Sequence, residues 1–262
     1  MELVRRRLAP SREAAQAAIA EGRVTVAGAP ADKPARLVGP ADPILVAASA
    51  AAWASRGGHK LDAALERWEI DAAGRRCLDA GASTGGFTDV LLARGAAEVW
   101  AVDVGRGQLL DRLRRDPRVV ARDRLNVRLA GIGDLGGQPF DVVVADLAFI
   151  SLRTVAPVLA GNVASNGADL VWLVKPQFEV GRATAAAGRG VVRDPEAWRE
   201  ALTGVGHALV SQGAAIMGAM TSPLRGADGN VEFLIWARAH RPDAGRPVAD
   251  VLDAALAEAT AP

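Results

Sequence analysis

Short apolar runs that close on a polar residue or a glycine alternate along the chain with stretches whose apolar residues return every three or four positions. That alternation predicts the strands and helices of an open α/β sheet. The clearest unit is 78–87, where an apolar strand enters a turn containing Gly81, Gly85 and Gly86, with Ser83 and Thr84 between them. The helical pattern Phe87, Val90, Leu91 follows. Residues 99–104 read as the next strand, the apolar pair Val119 and Val120 as a third, 140–145 as a fourth and 170–174 as a fifth. A helix over 195–210 precedes two more strands, 215–220 and 231–237, whose hairpin-like connection suits an antiparallel pair at the sheet edge. In the tail 245–262, Val248, Val251, Leu252, Ala255 and Leu256 share one helical face, expected to dock on the body or on a partner.

The first 46 residues read as a separate small module of mixed α and β. Ser11 can cap a helix in which Ala15, Ala18 and Ile19 share a face and which Gly22 stops; Val24, Val26 and 44–46 form short strands. Residues 47–55 are alanine-rich and predict a linker, with Trp53 free to pack on either side. Leu61, Ala64, Leu65 and Trp68 then recur at helical spacing, with Arg56, His59 and Lys60 at or before the helix start.

Composition narrows the class. At 262 residues, half of them apolar, the chain has room for one sizeable domain and a small one. No apolar run reaches membrane-spanning length and the N-terminus lacks the apolar core of a signal peptide, so a soluble, cytoplasmic protein is expected. The single Cys77 excludes an internal disulfide framework and reads as a core residue. The scattered His59, His207 and His240 show no metal-ligand spacing. Net charge is +1, so a nucleic-acid partner would be met by local basic patches. One such patch is Arg5, Arg6, Arg7, Arg12 and Arg23, with Lys33 and Arg36 further on; a solvated basic face is the plain alternative. Residues 178–193 carry Arg182, Arg189 and Arg193 among three glycines and read as a basic loop, suited equally to phosphate contacts or to a plain surface role.

Chemistry gathers at strand ends. Glycines bring backbone close to a ligand, and the N–H groups opening a helix offer donors to it. Asp103 stands 22 residues after Gly81, where an acid can bind ribose hydroxyls; a nicotinamide dinucleotide and S-adenosylmethionine both fit that pattern. Asp123, Arg124 and Asn126 follow the third strand, Asp146 the fourth and Lys175-Pro176 the fifth, while Glu232 begins the last. Lys60, Asp146, Lys175 and Glu232 thus converge on one cleft. Two amines and two carboxylates together are the set needed to deprotonate or orient a weakly acidic hydroxyl.

LVRRRLAPSREAAQAAIAEGRVTVAG resembles the small RNA-binding domain of ribosomal-protein S4 type, entered inside the family's first helix, as expected either of a trimmed module or of a start further upstream. SRGGHKL, LDAGASTGGFTDVLL, AVDVGRGQL, ADLAFISL, VKPQFEVG and GNVEFLIW, in this order, resemble the TlyA family of ribosomal RNA 2′-O-methyltransferases, related to FtsJ-type enzymes. The resemblance implies a Rossmann-like class I methyltransferase sheet with an antiparallel last strand over 56–240. Ahead of it come a 1–46 RNA-binding domain and a 47–55 linker, and a 241–262 helical tail follows. It further implies S-adenosylmethionine as cofactor and cytidine 2′-hydroxyls of 16S or 23S ribosomal RNA, naked or in subunits, as substrate. No metal is implied, and the oligomeric state stays open. The family's catalytic tetrad falls on Lys60, Asp146, Lys175 and Glu232. Its cofactor contacts fall on Gly81, Ala82, Ser83, Thr84, Gly85, Gly86, Phe87, Asp103 and Asp146, with the adenine side on Asp123 and Arg124. RNA contacts are expected at Arg5, Arg6, Arg7, Arg12, Arg23, Arg56, Arg182 and Arg189. Ala148 replaces a common serine, Arg225 a proline, and one linker tryptophan stands where two are common. The implied reaction is in-line displacement, Lys175 taking or steering the hydroxyl proton. A haemolysin, a label attached to this family, and a catalytically silent RNA-binding protein are the alternatives.

Overall fold

The computed structural model describes residues 2–6, 8–9, 12–20, 22–31, 33–46, 53–181, 188, 190–226 and 228–260. It divides into two compact units, Met1–Ala52 and Trp53–Pro262.

The first unit pairs helices α1 (Glu2–Arg5) and α2 (Arg12–Ala20) with a three-stranded antiparallel sheet of order β2-β1-β3, built from β1 (Val24–Val26), β2 (Ala29–Pro30) and β3 (Ile44–Val46). Leu3, Ala15, Ala18, Val24, Val26 and Ile44 form its core. Ser11, the expected cap of α2, lies outside the described residues.

The second unit opens with α3 (Gly57–Arg67) and builds a seven-stranded sheet from β4 (Arg76–Ala80), β5 (Glu98–Asp103), β6 (Val119–Asp123), β7 (Phe140–Ala145), β8 (Ala164–Val174), β9 (Ala215–Thr221) and β10 (Phe233–Arg238). The order is β6-β5-β4-β7-β8-β10-β9. Strands β4 to β8 pair in parallel; β10 is antiparallel to both of its neighbours, β8 and β9. Chain order reverses between β4 and β7, and at such a reversal the loops leaving the two strands diverge and leave a crevice.

Both faces are covered, which explains the near-continuous apolar runs. In β8, Leu170, Trp172 and Val174 enter the cluster under α6 (Leu152–Ala156), α8 (Pro195–Val210) and α9 (Val248–Thr260). Val171 and Leu173 enter the opposite cluster, under α3 and α4 (Gly86–Ala93). β8 begins six residues earlier than its apolar run, because Ala164 already pairs with Phe140. Two further short helices, α5 (Asp111–Arg114) and α7 (Pro176–Glu179), follow β5 and β8.

Residues 47–52 of the expected linker lie outside the described residues, and Trp53 packs on the α3 and α4 cluster. The tail helix is a structural layer of this unit: Val251, Leu252, Ala255 and Leu256 are buried against α8 and β9, and Thr221 Oγ1 donates to the Ala255 carbonyl at 2.8 Å. Truncation of Leu252 to Ala is therefore expected to cost about 2–5 kcal/mol in denaturant unfolding. A loss within about 0.5 kcal/mol, the usual surface value, would show the helix to be an appendage.

Candidate active site

The turn after β4 passes between two strands. Gly81 has φ +91°, and a β-carbon there would run into the Asp146 carbonyl. Only bare backbone fits, so β4 and β7 close up and Asp146 N donates to Ala80 O at 3.0 Å. Two cavities meet at Gly81, Ser83, Asp146 and Lys175. The larger, about 580 Å³, is walled by Val102, Leu125, Val127, Leu147 and Ile150, with Asp103 and Gln108 on its rim. The smaller, about 390 Å³, adds Ser55, Arg56, Gly57, Lys60, Ala82, Thr84, Gly86, Phe87, Gly226 and Glu232.

Asp103 ends β5 beside the turn, where its carboxylate accepts from Ser83 N at 2.8 Å and Gly105 N at 2.7 Å. Each oxygen keeps a lone pair for a ligand hydroxyl. An acid at the rim, apolar walls and a backbone floor fit a nucleoside. Asp123 and Arg124 do not line this cavity. Asp123 is occupied by Arg114 at 3.0 Å and Gly107 N at 3.0 Å, and Leu125, Asn126 and Val127 supply the wall instead. β6 extends past the apolar pair Val119 and Val120 through Asp123, and the chain turns at Arg124, with φ +60°.

The second cavity holds the four charged residues. Asp146 and Lys175 follow β7 and β8. Glu232 precedes β10, whose register sets Phe233 opposite Val174 and hence Glu232 beside Lys175. Lys60 lies in the first turn of α3, whose Leu61, Ala64 and Leu65 bury it against the sheet. Lys60 Nζ pairs with Glu232, and Lys175 Nζ lies 2.6 Å from Asp146 Oδ1. The second contact is an ion pair without hydrogen-bond alignment, leaving the buried Oδ1 without a directed donor. Gly226 faces Glu232 so closely that a β-carbon there would displace the carboxylate.

Some neighbours were not legible in the sequence. Phe149, with φ +64°, is 90% exposed at the mouth, and its ring lies 5.3 Å from that of Phe178. Glu179 is buried behind it. Asp79 is buried beneath the glycine turn and accepts from Thr88 Oγ1 at 2.6 Å. Burial pushes the Asp79 carboxyl up to about 7 against the Thr88 hydrogen bond, with the Asp146 and Asp103 charges adding to the rise. Burial likewise pushes the Cys77 thiol up to about 12, as for an inert core residue.

The expected RNA contacts are differently placed. Arg56 lines the smaller cavity. Arg6 is bound within its own unit, donating to Asp42 O at 2.7 Å, Gly39 O at 2.9 Å and Glu2 at 2.7 Å, so it holds a turn together. Arg5 also pairs with Glu2, Arg12 is exposed and Arg23 half-buried. Arg7, Arg182 and Arg189 lie outside the described residues. Among the described residues no group of three or more His, Cys, Asp or Glu could hold a metal ion.

A family model described as FtsJ-like methyltransferase matches residues 53–239, and one described as S4 domain matches residues 2–44. The 16S/23S rRNA (cytidine-2′-O)-methyltransferase TlyA of Mycobacterium tuberculosis is 52% identical over 238 residues, 90% of this chain and 88% of that protein. Hemolysin A of Brachyspira hyodysenteriae is 36% identical, covering 86% and 92%. A solved structure from Streptococcus thermophilus, also named for hemolysin, superposes with a TM-score of 0.75 at 35% identity, covering 96% and 92%.

The raised Asp79 carboxyl carries a sign. Between about pH 4, where an unfolded aspartate titrates, and about pH 7, the native chain keeps a proton that the unfolded chain has lost. Its contribution to stability therefore falls as pH rises through that window. Urea unfolding of wild type and Asp79→Asn from pH 5 to 8 is expected to show wild type gaining on the variant as pH falls. Parallel curves would place the Asp79 titration elsewhere.

Proposed function

The chain belongs to the FtsJ-like methyltransferase family, with an S4 domain ahead of the catalytic unit, and from that premise we propose that it transfers the methyl group of S-adenosylmethionine to cytidine 2′-hydroxyls in ribosomal RNA. The observation that carries this reading is the pairing of Lys60 with Glu232 and of Lys175 with Asp146 in one cavity that shares Gly81, Ser83, Asp146 and Lys175 with the apolar-walled one. A ribosomal substrate puts the enzyme's work in the cytoplasm.

The cofactor fits the larger cavity, with Gly81 and Ser83 of the glycine turn as floor and Asp103 for the ribose hydroxyls. It supplies a methyl group already activated on a sulfonium. A ribose hydroxyl is a poor nucleophile, so the residues of this chain have two tasks, holding its oxygen in line and relieving it of its proton. As the hydroxyl oxygen bonds to the methyl carbon and the carbon–sulfur bond breaks, Lys175 Nζ takes that proton if it is then the free amine, or as the ammonium steers it to the Asp146 carboxylate beside it. Asp146 holds Lys175, and Glu232 holds Lys60. Phe149 and Phe178 offer an exposed aromatic face at the mouth on which an unpaired base can stack. Arg56 stands at the cavity for a neighbouring phosphate.

The relatives named for hemolysis leave a membrane-active second reading, which lysis of erythrocytes by purified protein tests. Among the described residues no helix is long and apolar enough to cross a membrane.

Lys175→Ala is expected to lower methyl transfer by about 10²- to 10⁴-fold, the usual share of a positioned acid or base, while calorimetry shows the cofactor still bound. Wild-type turnover by that variant would remove Lys175 from the reaction.

A further inference from the structure

We propose that Glu179 is a positioning residue of this methyl-transfer site: its buried carboxylate clamps the segment leaving β7 to the short helix leaving β8 and so holds Asp146 against Lys175. The inference rests on the functional reading above for its kinetic consequences, and on geometry alone for the clamp.

Two segments carry the open half of the charged set. From Asp146 the chain runs through Phe149 to Ser151, where α6 begins; from Lys175 it runs through α7 to Glu179. Both are short, so each charged residue is only four or five residues from the point where the segments meet. At that point Glu179 is 4% exposed and its acceptors are filled from the other segment. Ser151 Oγ donates to one oxygen and Leu152 N to the other at 2.7 Å. Arg153 Nε lies 3.5 Å from the carboxylate, and Arg153 Nη2 donates to the Glu179 carbonyl at 2.9 Å. The carboxylate thus satisfies the first backbone N–H of α6, which has no partner inside the helix. Phe149 and Phe178, one from each segment, pack together on the solvent side of the clamp.

A buried carboxylate is a costly way to fill a core, since an apolar side chain of the same volume needs no partners. Here two donors from successive residues and the Arg153 charge converge on it, so replacing it with an apolar group leaves Ser151 and the Leu152 amide unpaired. Glu179, Ser151, Leu152 and Arg153 line neither cavity, so the carboxylate acts on the site only through the segment it holds.

The test compares Glu179→Ala with Glu179→Gln in the full chain. Gln keeps a carbonyl oxygen for the Leu152 amide, and the Ser151 hydroxyl can turn to accept from its NH₂ group. Corrected for the folded fraction, Glu179→Ala is expected to lower kcat on ribosomal RNA by about 10- to 100-fold, the effect of a small misplacement of reacting groups. Cofactor affinity falls by less than kcat, since only Leu147 to Ile150 of the loosened segment wall the cofactor cavity, and Gln recovers most of the rate. Hydrogen exchange over 147–154 is expected to rise in the Ala variant and not in the Gln variant. Wild-type kcat in Glu179→Ala, a parallel fall in cofactor affinity, or a Gln variant no better than Ala would overturn the proposal. If Glu179→Ala does not fold, Ser151→Ala removes one donor alone; faster exchange over 147–154 with a reduced kcat supports the clamp, and wild-type values of both overturn it. Should the wild-type protein methylate no ribosomal RNA, the functional reading fails separately. The exchange arm still decides the clamp, unchanged exchange in Glu179→Ala being the overturning result.

Discussion

β10 runs against its neighbours, and the site depends on that one reversal. The parallel strands β4, β5, β7 and β8 all deliver their C-terminal ends to one edge of the sheet, which brings the glycine turn, Asp103, Asp146 and Lys175 together. A parallel strand in the position of β10 would begin at the opposite edge, about 20 Å away at the rise of a six-residue strand. Because β10 is antiparallel, its first residues enter where its neighbours leave, and the register of Phe233 on Val174 puts Glu232 beside Lys175. β9 and its hairpin complete the edge, and α9 covers it. Lys60 reaches the same cavity from α3, so β5, β7, β8, β10 and α3 each contribute one side chain, and the turn after β4 its backbone, to a site that none could form alone.

The two ion pairs differ in burial, and the difference bears on their roles. The Lys60 and Glu232 side chains are 9% and 3% exposed; those of Lys175 and Asp146 are 15% and 24% exposed. Desolvation offsets most of the attraction in a buried pair, so the first pair is better explained by the orientation it imposes than by stability it adds. Removing one member leaves a buried charge unpaired, at a cost of about 3–5 kcal/mol. The second pair stands where the two cavities meet, with Asp146 Oδ1 lacking a directed donor, and is the pair that an incoming hydroxyl can reach.

Legibility in the sequence followed the range of the interaction. The glycine turn and the apolar strands closing on Asp146 and Lys175 are local patterns, so the parallel sheet and the charged set could be read directly. The antiparallel edge was legible because 215–220 and 231–237 are joined by a short connection. Glu179, Asp79 and Phe149 were not, because each takes its meaning from a distant partner. Glu179 answers Ser151 and Leu152, Asp79 owes its raised carboxyl to burial under the turn, and Phe149 stands out by the backbone conformation that exposes its ring. Asp123 and Arg124 illustrate the opposite case, polar residues at a strand end whose last strand residue turns to Arg114 and Gly107 while apolar neighbours line the cavity. Arg6 makes the same point in the first unit, where a basic residue in a cluster proves to be tied to the carbonyls of residues 39 and 42.

The central claim is that this cleft methylates a ribose hydroxyl of ribosomal RNA. The most direct test is transfer of tritiated methyl from S-adenosylmethionine to separated small and large ribosomal subunits that lack the modification, followed by nuclease mapping of the labelled nucleotide. The account predicts label on a cytidine 2′-oxygen. Label on a base nitrogen or carbon, or none from a protein that binds the cofactor, would contradict it.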